Sequence, residues 1–250
     1  MVDPNIIIFI IFGFVAQMID GCLGMAYGVS STTFFLSLGI PPAIASACVH
    51  IAEMFTTAVS GISHFKFGNV DRRIFLRLLI PGVIGGVLGA YILTALPGNK
   101  LKPFVSIYLF IMGLVILIKV FKKVHRTEGK IRMVPLGLAG GFFDAIGGGG
   151  WGPIVTTTLV ANGNTPRYAI GSVNTAEFFV TIAESVTFFL TIGALLTQHW
   201  EKVAGLIIGG VLAAPFAAYA CKKIPHRLLM ILVGCLIVGL SLRTLYLAWF

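Results

Sequence analysis

The sequence predicts an all-α membrane protein: a polytopic helical bundle of two inverted repeats, each holding a glycine-broken re-entrant segment and three transmembrane helices. Three observations carry that prediction. Apolar residues make up 57% of the chain, charged residues 11%, and the mean hydropathy is +0.98, which leaves too little polar surface to solvate a soluble globule. The apolar stretches exceed the roughly 20 residues that a helix needs to cross hydrocarbon, and their Pro, Gly and Ser clusters are foreign to alternating barrel strands. The second half of the chain also repeats the first at an offset of 124 residues.

Without gaps, positions 13 to 57 match 137 to 181 at 14 of 45 places, among them Gly13, Asp20, Gly24, Gly28, Thr32, Pro42, Glu53 and Thr57 with Gly137, Asp144, Gly148, Gly152, Thr156, Pro166, Glu177 and Thr181. Gly85-Gly86-Val87-Leu88 returns as Gly209-Gly210-Val211-Leu212. Duplication with interrupted segments at corresponding places marks many secondary transporters.

In chain order, residues 5 to 38 form the first interrupted segment, followed by full spans at 43 to 65, 73 to 96 and 101 to 121. A polar linker covers 122 to 132. The second half then gives its own broken segment and spans at 167 to 197, 202 to 221 and 228 to 248. All of 1–250 reads as a single transmembrane transporter domain, with repeat 1 at 1–121 and repeat 2 at 133–250. The opening Met-Val-Asp-Pro-Asn lacks the basic region of a cleavable signal, so the first segment is expected to stay in the mature protein.

Unbroken, residues 5 to 38 would make a helix of about 50 Å, too long for a hydrocarbon core of roughly 30 Å. Split at Asp20 to Gly24, each arm reaches the middle of the membrane, which suits a hairpin that returns to its starting side. Charge agrees. Leaving aside Arg243 inside the last span, re-entrant segments put fourteen Lys and Arg on one side and three on the other, whereas single crossings give eleven and six. Two short full crossings in place of each hairpin give the same loop sides. The expected location is the cell inner membrane, multi-pass, with both termini outside and the linker cytoplasmic.

A net charge of +9 raises nucleic acid as a partner, but the basic residues lie in short loops between apolar runs, so the lipid bilayer is the expected partner instead. Cys22, Cys48, Cys221 and Cys235 contain no Cys-x-x-Cys pair and read as small hydrophobes. No catalytic motif of the His-Glu-x-x-His or Gly-x-Ser-x-Gly kind occurs, so no enzyme activity and no cofactor are expected.

Ionisable groups inside apolar spans are expensive and mark function. Here they are Asp20, His50, Glu53, His64, Asp144, Glu177, Glu184 and Arg243. The repeat pairs Asp20 with Asp144 and Glu53 with Glu177. Asp20 and Asp144 suit the capping of backbone donors freed at the breaks. Glu53, Thr57 and Ser60 share one helical face, as do Glu177, Thr181 and Glu184, with His50 and its counterpart Asn174 three positions earlier on those faces. These faces should point into the bundle, where His50, Glu53 and Glu177 are candidates for proton coupling; interhelical hydrogen bonding is the structural alternative.

Residues 144 to 153, Asp-Ala-Ile-Gly-Gly-Gly-Gly-Trp-Gly-Pro, supply the other half of a site. Bare backbone can offer N–H groups to a ligand, and the helix resuming near Trp151 and Pro153 turns its positive end toward the break, an arrangement suited to an anion. Gly148, Gly149, Gly150, Trp151, Gly152, Thr156 and Asn174 are therefore candidate substrate ligands, with Gly24, Gly28, Ser31 and Thr32 from the first copy. No metal site is expected.

The duplicated segments Asp20 to Gly28 and Asp144 to Pro153, the turns at Pro42 and Pro166, and the mid-chain basic linker together resemble the sulfite exporter TauE/SafE family over nearly the whole chain. The motif is rich in the second half and degenerate in the first, where Leu23, Met25 and Ala26 stand in for glycines. The resemblance implies a substrate class of sulfite or organosulfonates such as sulfoacetate. The combined expectation is a proton-coupled secondary transporter, an exporter of a small sulfur-containing anion, working by alternating access around a midplane site. A homodimer is compatible with this reading. The rivals are a cation or metal carrier using the buried acids, and a non-transporting intramembrane accessory protein.

Overall fold

The structure, a computed structural model, describes residues 6–121, 131–220 and 226–249. Most of the linker, residues 122 to 130 with Lys122, Lys123, Arg126 and Lys130, lies outside the described residues, as do Cys221, Lys222 and Lys223.

Two short helices, α1 (Ile6–Leu23) and α2 (Tyr27–Ser37), lead into three long ones: α3 (Pro42–Lys66), α4 (Arg72–Ala95) and α5 (Gly98–Phe121). The plan then recurs. Helix α6 (Met133–Gly147) is followed by a π-type turn, Gly152–Thr156, that runs on into α7 (Thr157–Ala161), and then by α8 (Pro166–Leu196), α9 (Trp200–Ala220) and α10 (His226–Trp249). Among the described residues there is no strand.

Local chemistry sets several of these boundaries. Pro42 and Pro166 each open a long helix at its first turn, where the missing N–H leaves no bond unmade. Asp71 caps α4, its Oδ1 accepting from the amides of Arg73 at 2.7 Å and Ile74 at 3.3 Å, while its own amide donates to Ser172 Oγ of α8 at 2.8 Å. Removing that cap in Asp71→Ala is expected to lower stability by about 1 kcal/mol. A thermal-melt comparison in detergent checks it, and an unchanged midpoint would show that the cap carries no weight.

Among the described residues, five helical stretches are long and apolar enough to cross a membrane. They cover most of each of the six spans expected from the sequence, the stretches expected at 167–197 and 202–221 falling in one run, Pro166–Ala217. The chain does not leave the helical region between them: a single 3₁₀ turn, Thr197–His199, joins α8 to α9, and the bend falls earlier, at Ile192, with φ −132° and ψ 18°. The exterior is oily, with Ile80, Phe104 and Leu190 all well exposed, while His50, Asp144 and Glu184 are buried. A protein in lipid distributes its residues this way, since charges there are driven inward.

Packing follows the repeat. Helix α1 lies on α9 and α6 lies on α4, so the first arm of each broken segment packs mainly on the other half; α3 crosses α8, and α5 pairs with α10. Glycines permit the close approach: Gly85 of α4 abuts the α6 backbone at Leu138, and Gly209 of α9 abuts the α1 backbone at Ile10. At the open end of α2, Arg243 of α10 donates to the carbonyl oxygen of Ser37 at 2.5 Å, a cation set against a helix C-terminus. That contact accounts for an arginine inside the last apolar span.

Candidate functional site

Both chain breaks are built from an aspartate that reaches over a gap to the start of the next helix. Asp144 Oδ1 accepts from the amides of Gly150 at 2.6 Å and Trp151 at 2.9 Å, and its main-chain oxygen accepts from Gly149 at 3.0 Å. Asp20 Oδ1 accepts from the amide of Tyr27 at 3.2 Å, and its main-chain oxygen from Gly24 at 2.6 Å. Tyr27 and Trp151 are themselves repeat partners. The gaps lie at Gly24 to Ala26 and Gly148 to Gly150, where Gly24 and Gly148 adopt φ values of 65° and 63°. Ala26, with φ 139°, occupies a conformation that favours glycine, and its repeat partner is Gly150.

The two breaks meet, and their contacts are reciprocal. Thr32 Oγ1 donates to the carbonyl oxygen of Gly148 at 2.7 Å, and Thr156 Oγ1 faces that of Gly24 at 3.4 Å. A Cβ added at Gly28 would lie 2.7 Å from Gly149 Cα, and one at Gly152 would lie 2.8 Å from Gly24 O and Met25 Cα. Each contact maps onto the other under the 124-residue offset, as contacts about a local two-fold axis do.

Between the breaks lies a small cavity of about 10 Å3, room for no more than a water-sized group in this conformation, lined by Asp20, Gly28, Glu53, Asp144, Gly149, Gly150, Gly152 and Glu177 among others. Four carboxyl groups from α1, α3, α6 and α8 thus share one small space. Of the substrate ligands expected from the sequence, Gly28, Gly149, Gly150 and Gly152 line it. Gly24, Gly148, Thr32 and Thr156 sit behind it in the seam between the breaks. Ser31 is buried with its hydroxyl unpartnered. Trp151 and Tyr27 point away: the indole is fully buried and donates to Val173 O at 3.2 Å, and the phenol lies 3.4 Å from Leu206 O. Asn174 turns to Ser60, its Nδ2 donating to Oγ at 3.1 Å.

The amides at the second break are not free. Gly150 and Trp151 spend theirs on Asp144, so an anion can reach those donors only when that carboxylate lets go. The hydroxyls of Thr57 and Thr181 donate to main-chain carbonyls of their own helices, at Glu53 and Phe178, and not to the glutamate carboxyl groups.

Glu184 is the residue that the repeat did not rank, because its counterpart is Ser60. It lies beside the cavity with Oε2 2.9 Å from His50 Nε2, and Asp144 Oδ2 is 3.7 Å from the same nitrogen. One nitrogen and two oxygens from these residues fall within 4.8 Å of one another, close enough to share a cation. The signal for Glu184 in sequence was its i+7 spacing from Glu177.

A family model described as sulfite exporter TauE/SafE matches residues 9–244. The probable membrane transporter protein YtnM of Bacillus subtilis (strain 168) is 43% identical over 253 residues, covering 98% of this chain and 84% of that one. More distant relatives are the probable membrane transporter proteins ORF9 of Sinorhizobium sp, 26% identical over 72% of this chain and 66% of its own, and YdhB of Bacillus subtilis (strain 168), 25% identical over 65% and 67%. No solved structure matches.

Proposed function

Since the chain belongs to the sulfite exporter TauE/SafE family of membrane transporters, we propose that it is a secondary transporter for a small sulfur-containing anion, sulfite or an organosulfonate such as sulfoacetate, moved together with protons. The observation that carries this reading is the cavity where two glycine breaks meet four carboxyl groups. Bare backbone at a helix start favours an anion, yet four ionised carboxylates in that space repel one. The conflict is resolved if protons enter with the substrate. A protonated Asp144 loosens its hold on the Gly150 and Trp151 amides, which then become donors for the anion, and neutral Glu53 and Glu177 no longer oppose it.

The reciprocal contacts support inverted repeats with re-entrant tips meeting at mid-membrane, and alternating access by one repeat rocking against the other. On this reading the protein sits in the inner membrane as one transporter domain with the linker cytoplasmic. The direction proposed is export.

Flux of sulfite and sulfoacetate from proteoliposomes, with and without a pH gradient, tests the proposal. The wild type is expected to respond to the gradient, and Glu177→Gln is expected to flatten the pH dependence of transport while the protein still elutes as a folded species. An unaltered pH profile removes Glu177 from the coupling role. The four carboxyl groups also favour a second reading, a cation carrier. Thermal stabilisation by a divalent metal ion, with none by either sulfur anion, would select it.

A further inference from the structure

We propose that His50, Glu184 and Asp144 form a proton-binding site beside the transport cavity, present in one half of the molecule and replaced by neutral groups in the other. The proposal rests on the proton-coupled reading above and assigns the labile proton to a particular place.

The ring orientation fixes where hydrogens must be. His50 Nδ1 lies 2.7 Å from the carbonyl oxygen of Ser46, and a carbonyl only accepts, so Nδ1 carries a hydrogen. Ser46 Oγ directs its own hydrogen to Ala145 O at 2.5 Å and so holds the α3 turn against α6. A neutral imidazole then presents the Nε2 lone pair to Glu184 Oε2 at 2.9 Å. A lone pair and a carboxylate repel at that distance, so a proton resides on one or the other. With that proton the three side chains sum to one negative charge; with a second they are neutral. All three are buried, and among the described residues no lysine or arginine forms an ion pair with them. Nε2, Asp144 Oδ2 and both Glu184 oxygens also lack a well-aligned hydrogen-bond partner, leaving acceptors for the second proton.

Among the described residues the neighbouring elements bring mostly further acids; the ammonium of Lys119 on α5 lies 3.5 Å from Pro153 O at the second break and forms no ion pair with the three side chains. Helix α3 itself contributes Glu53, one turn on, and α1 carries Asp20 in its last turn; α8 adds Glu177 and packs Phe188 against the imidazole, with ring centroids 5.8 Å apart. Helix α5 offers the Tyr108 hydroxyl, 3.3 Å from Gly149 O, and the ammonium of α9, Lys202, sits over the Phe9 ring. From α4 comes bare backbone: a Cβ at Gly86 would lie 2.5 Å from Glu184 Oε1.

The repeat supplies the comparison. Under the 124-residue offset His50 maps to Asn174 and Glu184 to Ser60, and those two residues also meet, at 3.1 Å. The crossing of α3 and α8 therefore contains the same contact twice, once as imidazole and carboxyl, once as amide and hydroxyl. The neutral pair is enough to join the helices. The ionisable pair adds a place for a proton next to Asp144, the residue that holds the Gly150 and Trp151 amides.

The test copies the neutral half onto the ionisable one, with His50→Asn and Glu184→Ser combined. Labelled sulfite and sulfoacetate are followed in proteoliposomes as exchange at equal pH and as accumulation against a pH gradient, with a lumenal pH dye. The double variant is expected to retain exchange above the vesicle background and to lose gradient-driven accumulation by tenfold or more, with no substrate-linked pH change. Glu184→Gln, read the same way, is expected to move in the same direction and serves if the double variant does not fold. A double variant, or Glu184→Gln, that accumulates substrate with the wild-type gradient response overturns this assignment alone. A wild type indifferent to the gradient overturns the proton-coupled reading and this one together. Stoichiometric divalent metal in the purified wild type, with exchange abolished by a chelator, also overturns it, since the three side chains would then be ligands.

Discussion

Gly149→Ala is expected to reduce transport more than tenfold and to lower the thermal midpoint, because two costs coincide at that position. Its φ of 151° lies where side chains are strained, and an added Cβ would overlap the amide nitrogen of Val29 and sit 2.8 Å from Gly28 Cα on the opposite break. Neither neighbour can yield, since both are backbone of the other repeat. Gly163 separates the two causes. Its φ of 86° imposes a comparable conformational penalty, but a Cβ there meets nothing within 4 Å. Gly163→Ala should therefore lose about 1 kcal/mol of stability and keep its transport. Parallel thermal melts and flux measurements decide the matter. Equal behaviour of the two variants would mean that the contact between the breaks is not needed for function.

That contact shows where sequence reading reached and where it stopped. Alternation of apolar runs with short basic loops makes the long helices legible, and the repeat places Asp20, Asp144, Glu53 and Glu177 in equivalent registers, so four of the cavity's acidic residues are found from sequence alone. The joining of Thr32 to Gly148 O and Thr156 to Gly24 O is not legible, because it depends on each broken segment packing on the other half. The fate of the amides is legible only in part. That Asp20 and Asp144 suit the capping of freed donors is legible in the sequence; which amides each takes, and that Asp144 takes both Gly150 and Trp151, is decided by the path of the turn. Glu184 shows the converse limit. Ranking by internal symmetry favours residues that occur twice, and a site made by breaking symmetry is lost in that ranking. Its neighbour Ser46 is similarly unpaired, the repeat partner being Ile170, yet the Ser46 hydroxyl ties α3 to Ala145 O of α6.

The same asymmetry sets apart the two aspartates that the repeat makes equivalent. Asp144 is 1% exposed and takes two amides through one oxygen, at 2.6 and 2.9 Å, while its other oxygen faces His50. Asp20 is only half-buried and takes one amide at 3.2 Å. Truncation at Asp144 strands two buried N–H groups, each worth about 1–3 kcal/mol when left unsatisfied, and leaves Glu184 alone beside the imidazole. Asp144→Ala is thus expected to lower the thermal midpoint by several degrees more than Asp20→Ala and to abolish flux. Asp144→Asn keeps an oxygen for the two amides while removing the charge, so it should recover much of the lost stability without restoring the pH response. Thermal melts of the three variants, paired with flux at two pH values, measure both parts. Equal destabilisation by the two alanines would make the aspartates interchangeable caps, and a wild-type pH response in Asp144→Asn would take Asp144 out of the proton's path.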